Sequence, residues 1–217
     1  MPPMRPFHFQ MGVNGLWKQL EYSKKQIDNY KHYSTNIVFA IDAPVIFRII
    51  WYWKQFGSRV FKASNYNELA KEFAASMSSY MDAILPAAEN LYWLFEGRKP
   101  EKAKKRNINS VRKLKKTFNK AVNMAFLSTK NGHEGIANGM LNRAFFPPPK
   151  FTELVMYHLL ELNKGTVWQA SGESDYAISG LCNERQTIVV SSDSDFLVFS
   201  NCVALINPTY KQVTDEV

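Results

Sequence analysis

The side chains whose placement suggests chemistry are carboxylates. Asp42 closes a compact apolar run, Asn36–Ile41 (NIVFAI), and Glu96 follows a second, Leu91–Phe95 (LYWLF). Glu173 and Asp175 open a helical pattern, and Asp193 and Asp195 follow a third run, Gln186–Ser191 (QTIVVS). Each run reads as a buried strand, so these acids stand just beyond strand ends or at a helix start. The carboxyl ends of strands are where open parallel sheets gather ligands. Several carboxylates meeting there repel one another unless cations bridge them. In Ser192-Asp193-Ser194-Asp195 the two-residue spacing lets both acids face one site in extended or turn geometry, and a helix start at Glu173-Ser174-Asp175 tolerates negative charge. A single acid at a strand end or helix cap is ordinary structural usage. Recurrence in four segments of one chain favours a shared site.

The donor set defines the cation. Cys182 and Cys202 are too few and too isolated in sequence for a disulfide framework or a zinc knuckle. The four histidines (His8, His32, His133, His158) show no paired metal-ligand spacing. Oxygen ligands alone point to a hard cation, Mg²⁺ with Mn²⁺ as a substitute. The glycines of Lys130–Gly139 (KNGHEGIANG) fit neither a phosphate loop nor a dinucleotide fingerprint, and this stretch is expected to be a mobile loop.

Charge supplies a second signal. The 217 residues carry a formal +8, yet residues 98–120 hold eleven Lys/Arg against one Glu, and the remainder is slightly acidic. Clustered cations of this kind gain affinity for a phosphate backbone by releasing its counterions. The alternative is a solvated helix face. No apolar run of 18 residues occurs, so no membrane span is expected, and the opening MPPMRPFHFQ lacks the apolar stretch of a secretory signal.

The elements that must position the acids alternate between strand and helix. A short helix is expected over Gly12–Glu21. After the first strand, Pro44 suits the first turn of a helix running through Ile50 and Trp53. Leu69, Phe73, Met77, Met81 and Ile84 recur at helical spacing, a stripe read as core packing. The basic segment 98–120 is expected to be largely helical, with Pro147–Pro149 breaking the chain after the glycine-rich stretch. Phe151, Leu154, Val155, His158, Leu159 and Leu162 form a further amphipathic helix, with His158 read as a packed core histidine. Gly165–Gln169 is a short strand, Glu173–Glu184 a helix, and Val203–Ile206 a last strand. Of the aromatics that could stack on bases, Tyr92 and Trp93 read as core residues of their strand, which leaves Phe118 as the candidate contact. This alternation argues for an α/β fold with a central, mostly parallel sheet flanked by helices. Residues 11–217 are expected to form one core domain, with 98–149 as an excursion from the sheet and 1–10 as an amino-terminal extension.

Several of these segments, in order, resemble the flap endonuclease/XPG family of structure-specific 5′ nucleases, with their PIN-like fold. Met11-Gly12-Val13-Asn14-Gly15-Leu16-Trp17-Lys18 is similar to the family's amino-terminal M-G-[IV]-x-G-L-x-K, and Val38-Phe39-Ala40-Ile41-Asp42 to the strand that delivers its first metal-site Asp. Leu94–Pro100 (LFEGRKP) resembles F-D-G-x-x-P, Ala170–Ala177 (ASGESDYA) resembles A-P-x-E-A-E-A, and Ser192–Phe199 (SDSDFLVF) resembles T-x-D-x-D-x-x-x-F. Glu96 stands where the family usually has Asp, and Asp175 where it usually has Glu.

The resemblance implies that Asp42, Glu96, Glu173, Asp175, Asp193 and Asp195 are metal-site carboxylates. Asp42, Glu96 and Glu173 would serve mainly one ion, Asp193 and Asp195 the other, and Asp175 would lie between. It implies phosphodiester hydrolysis with two Mg²⁺ ions about 4 Å apart, leaving a 5′-phosphate and a 3′-hydroxyl. The basic excursion would correspond to a helical arch, in which a Lys and an Arg seven residues apart meet the scissile phosphate. Lys105 and Arg112 have that spacing, two helical turns on one face, and Arg106 with Lys113 fit nearly as well. Gly12, Lys104, Arg106, Lys113, Lys115 and Lys116 would contact nucleic acid.

In family order a helix-hairpin-helix duplex-binding region and a last metal-site Asp would come after Val217. Weaker preference for a flap junction is therefore expected, with DNA flaps, single strands and RNA all candidate substrates. The protein is expected to act as a monomer, in the nucleus and in DNA repair, with cytoplasm as an alternative location. Lys104–Arg106 with Arg112–Lys116 resembles a bipartite import signal. Two rival readings remain. A catalytically degenerate nucleic-acid-binding or scaffold protein of the same fold would have no reason to keep six acids together. A toxin-like ribonuclease of the PIN fold fits the size, but not the arch or the M-G-V-N-G-L opening.

Overall fold

The computed structural model describes residues 37–85, 88–97, 101–144 and 147–208, and for residues 61, 101–114, 117, 143, 144 and 149 it describes the backbone. The amino-terminal signature with Gly12, the expected helix over 12–21 and residues 98–100 lie outside the described residues. In chain order the elements are β1 (Val38–Asp42), α1 (Ala43–Trp53), α2 (Phe56–Lys62), α3 (Tyr66–Ile84), β2 (Leu91–Phe95), α4 (Glu101–Lys130), α5 (Glu134–Ala144) and α6 (Pro149–Glu161). They continue with β3 (Thr166–Gln169), α7 (Ser174–Glu184), β4 (Thr187–Val190), a 3₁₀ helix (Ser194–Val198) and β5 (Cys202–Ile206).

The strands form one five-stranded sheet in the order β3-β2-β1-β4-β5, and every pairing is parallel. This is the α/β architecture that the alternating pattern predicts. Its β-branched and aromatic runs (VFAID, LYWLF, TIVV) are buried almost throughout, as a sheet covered on both faces requires. One face presents Ala40, Leu94 and Val189, which pack with Ile178, Leu181 and Cys182 of α7 and with Phe196. The other presents Phe39, Ile41, Trp93, Ile188 and Val190, all buried. Trp93 is thus a core residue, and Tyr92 packs partly buried against the α7 side. Chain connectivity turns at the centre. From β1 the chain goes to β2 and β3 on one side, then crosses through α7 to β4 and β5 on the other. The gap between the carboxyl ends of β1 and β4 is therefore the topological switch point, where doubly wound sheets open a crevice.

The described chain divides into two compact units. The first contains the sheet, with residues up to Ile46, Asp82–Glu96 and from Gly165 on; the second contains residues 47–81 and 97–164. The second unit has its own apolar centre. Phe73 lies 4.3 Å from Phe47, 4.6 Å from Phe56 and 5.7 Å from Phe151, measured between ring centroids. Each such pair contributes about 0.5–1.5 kcal/mol beyond its buried area. Leu69, Phe73, Met77 and Met81 form the buried stripe of α3, ordinary core packing. His158 is 5% exposed, with Nδ1 2.8 Å from Glu161 Oε2 and Nε2 3.0 Å from Asn67 Oδ1, so it is a packed core histidine. Leu162 caps α6 and is exposed, so the apolar stripe ends at Leu159.

Two local expectations need correction. Lys130–Gly139 is not a loop: a short turn at Asn131–Gly132 leads directly into α5. Ala137 and Leu141 pack there against Ala125 of α4, and this burial outweighs the helix penalty of about 1 kcal/mol for each of Gly135 and Gly139. The segment after Trp53 also holds an unanticipated helix, α2, entered through Gln55 in a left-handed conformation (φ 52°).

Candidate functional site

Asp42 is the last residue of β1 and only 5% exposed. Its carboxylate is held by two serines. Ser191 Oγ donates to Oδ2 at 2.7 Å and Ser174 Oγ donates to Oδ1 at 3.3 Å. The sheet register explains the first contact. Ile41 pairs with Val190, so the next step sets Asp42 beside Ser191 across the switch point. Ser174, 2% exposed, is the first residue of α7, and the packing of α7 on the sheet brings it to β1 from 132 residues away. Sequence reasoning missed both serines. Ser174 sits between two flagged acids and Ser191 two residues before another, yet the partner of each is visible only once the strand order is known.

The remaining acids rim the same end of the sheet. Glu96 follows β2 and is exposed, and its backbone carbonyl accepts from Gln169 Nε2 at the end of β3. Glu173 is the residue before α7 and makes no capping hydrogen bond, while Asp175 lies in the first turn. Asp193 precedes the 3₁₀ helix. Its backbone N–H donates to Ser191 Oγ at 3.0 Å, and its Oδ1 accepts from the Asp195 N–H at 3.0 Å. One chain of hydrogen bonds therefore runs Asp195–Asp193–Ser191–Asp42.

The electrostatics register the crowding. Burial pushes the Asp42 carboxyl from 3.8 up to about 7; Ser191 and Ser174 pull it down, and the charges of Asp175 and Glu96 push it up. Asp175 keeps a solvent-accessible edge, yet its carboxyl is also raised, first by partial burial and then by Asp193, Glu173, Glu96 and Asp195. Within the sheet-bearing unit the charges acting on Asp42 and Asp175 are those of other sequence-predicted acids, and Asp175 is the member that links Asp42 to the rest. Fully buried Ser194 Oγ, between Asp193 and Asp195, has no hydrogen-bond partner among the described residues. An all-oxygen set of clustered acids suits hard divalent cations. Among the described residues no three His, Cys, Asp or Glu side chains form a group that could hold a metal ion as they stand. Like-charge repulsion opposes their closer approach.

Residues 101–120 of the basic segment fall on α4, a single helix of 30 residues, so residues seven apart stand two turns apart on one face. Lys115 and Lys116 are exposed on it. Lys104, Lys105, Arg106, Arg112 and Lys113 belong to the same helix, and their side chains lie outside the described residues. Phe118 is half-buried. Cys182 and Cys202, far apart in sequence, meet between α7 and β5 as free thiols, the Cys182 thiol lowered by a hydrogen bond with Cys202. No helix among the described residues is long and apolar enough to cross a membrane. No protein-family model and no curated protein matches this chain.

Proposed function

We propose that this protein is a divalent-metal-dependent nuclease that hydrolyses phosphodiester bonds in flaps or single strands of DNA or RNA, in the manner of flap endonucleases. The observation that supports this reading is the buried Asp42 carboxylate at the switch point, pushed up by the charges of Asp175 and Glu96, with Asp175 in turn pushed up by Asp193, Glu173, Glu96 and Asp195. Asp42, Glu96 and Glu173 would hold one ion, Asp193 and Asp195 a second, and Asp175 would lie between. When bound, Mg²⁺ or Mn²⁺ supplies Lewis acidity toward the phosphoryl group and makes water a nucleophile at neutral pH.

The chain's own groups do the positioning. Ser191 and Ser174 fix both oxygens of Asp42, and the Asp195 N–H fixes one oxygen of Asp193. Preorganised ligands of this kind do not have to be reordered as charge develops in the reaction. Lys105 and Arg112 on α4 would offset phosphate charge, and Lys104, Arg106, Lys113, Lys115 and Lys116 would add salt-dependent affinity. Residence in the nucleus belongs to the same proposal.

The test is cleavage of labelled 5′-flap, single-stranded DNA and RNA substrates with Mg²⁺, with Asp193→Ala as the blank. Metal-dependent cutting that the substitution abolishes supports the proposal. Equal cutting in both proteins would mark contamination. Calorimetric titration of Mg²⁺ or Mn²⁺ gives an independent readout: no site-linked heat, or heat unaltered by Asp193→Ala, would favour the non-catalytic binding protein.

A further inference from the structure

The sheet register places an exposed aromatic in line with the carboxylate cluster. Asp42 pairs with Leu94, and Leu94 pairs with Trp168, so these three form one row across β1, β2 and β3. Residues of a parallel row share a face, so Trp168 stands on the Asp42 side of the sheet, two strands away, or about 10 Å. Leu94 in the middle of the row is fully buried, whereas Trp168, on the edge strand, is 52% exposed. A second large aromatic stands on α7. Tyr176 is 77% exposed and directly follows Asp175, two residues after the serine that bonds Asp42. Scattered exposed apolar residues are ordinary. Here two aromatics flank one carboxylate cluster, at the carboxyl end of β3 and the amino end of α7.

We propose that Trp168 and Tyr176 form a stacking platform for unpaired nucleobases of the strand whose phosphodiester lies at the Asp42 cluster. The inference rests on the nuclease reading and names its substrate class: single-stranded nucleic acid, or the unpaired part of a longer one. Acids repel phosphates, so a strand approaching this edge needs attraction that does not depend on its charge. Aromatic faces supply it, and every base has a π-face to offer. Bases inside a duplex are already stacked and paired, so the platform discriminates against them. A distance of about 10 Å is roughly three steps of a stacked strand at ~3.4 Å per nucleotide, so the platform would hold bases near the reacting bond and not at a remote site.

The experiment compares a labelled oligothymidylate with an abasic strand of equal length and charge, by fluorescence anisotropy with Mg²⁺ in an Asp193→Ala background. The base-bearing strand binds about tenfold tighter, in keeping with the stacking energy of one or two bases. Trp168→Ala with Tyr176→Ala closes that gap while leaving affinity for the abasic strand and the salt dependence of binding unchanged. Trp168→Phe keeps most of the gap, and Tyr176→Ala alone, at an exposed position, supplies a variant that leaves folding intact. Equal binding of the two strands, no binding of either, a gap that survives the double substitution, or equal losses on both strands would each overturn the platform. Cleavage by the protein with Asp193 intact separates the two claims. Cutting without base-dependent binding removes the platform and leaves the nuclease; base-dependent binding without cutting does the reverse.

Discussion

Ser191 Oγ donates a 2.7 Å hydrogen bond to Asp42 Oδ2 and accepts a 3.0 Å bond from the backbone N–H of Asp193, so one hydroxyl links the acids at the ends of β1 and β4. Removing it leaves a buried carboxylate short of a donor and an N–H short of an acceptor. A hydrogen bond to a charged group contributes about 1.5–3 kcal/mol, and one to a neutral group about 0.5–1.5 kcal/mol. Ser191→Ala should therefore destabilise the metal-free protein by about 3 kcal/mol at pH 8 and by about 2 kcal/mol at pH 5, where Asp42 carries its proton. Urea unfolding at both pH values checks it. A loss independent of pH would show that the hydroxyl serves Asp193 alone.

Asp42 itself should set a pH dependence. Its carboxyl titrates at about 7 in the folded protein against 3.8 in the unfolded chain, chiefly through burial. Between these values the folded state holds a proton that the unfolded state has lost. Stability with chelator present should therefore fall as pH rises from 4 to 7 and stay low above it. A shift of this size corresponds to at most about 4 kcal/mol. Asp42→Asn removes the contribution, and Asp175, raised in the same direction, leaves a smaller residual slope. Glu72 and Glu161 are lowered and act in the opposite sense, but they are common to both proteins and cancel in the comparison. If the native protein and Asp42→Asn show parallel stability curves across this window, burial of Asp42 does not carry the assigned cost.

Much of the fold was readable from local pattern. LYWLF coincides with β2 because a five-residue apolar run can only be a covered strand here, and the Leu69–Met81 stripe gives α3 by periodicity alone. The acids were readable because each adjoins such a run. Ser191, Ser174 and the meeting of Cys182 with Cys202 were not, because they depend on which strand lies beside which, and parallel strands carry no hairpin to announce their neighbours. The Lys130–Gly139 stretch was misread because glycine content argues for a loop, while the packing of Ala137 and Leu141 on Ala125 is a tertiary fact.

Gly165 governs the strand that carries Trp168. Its φ is +118°, and an added Cβ would lie 2.6 Å from the carbonyl oxygen of Leu91. Backbone strain of about 1–3 kcal/mol then adds to a clash with a main-chain atom that cannot rotate away. Gly165→Ala should cost at least about 2 kcal/mol and loosen the β2–β3 pairing ahead of the rest of the sheet. Hydrogen exchange should show the Trp168 and Ala170 amides, which face β2, losing protection more than Ala40 or Val189. Uniform loss across all strands would mean that β3 unfolds only with the whole domain.

A second glycine secures the other unit. The Gly57 N–H donates to Asn142 Oδ1 at 2.8 Å, joining α2 to α5, and Asn142 Nδ2 reaches the Tyr52 carbonyl at 3.4 Å. A Cβ on Gly57 would stand 2.7 Å from Asn142 Cα and 2.9 Å from its carbonyl oxygen. Truncating Asn142 leaves the buried N–H unpaired, a loss of about 1–3 kcal/mol. It does not make room for the methyl group, because the obstructing atoms belong to the backbone. Gly57→Ala should therefore remain destabilising by about 1–3 kcal/mol even in an Asn142→Ala background. Because α5 packs along α4, both substitutions should also weaken binding of single-stranded oligonucleotides if α4 is the cationic contact. Rescue of Gly57→Ala by Asn142→Ala in urea unfolding would mean that the Asn142 side chain, and not the helix backbone, sets the closeness of α2 and α5.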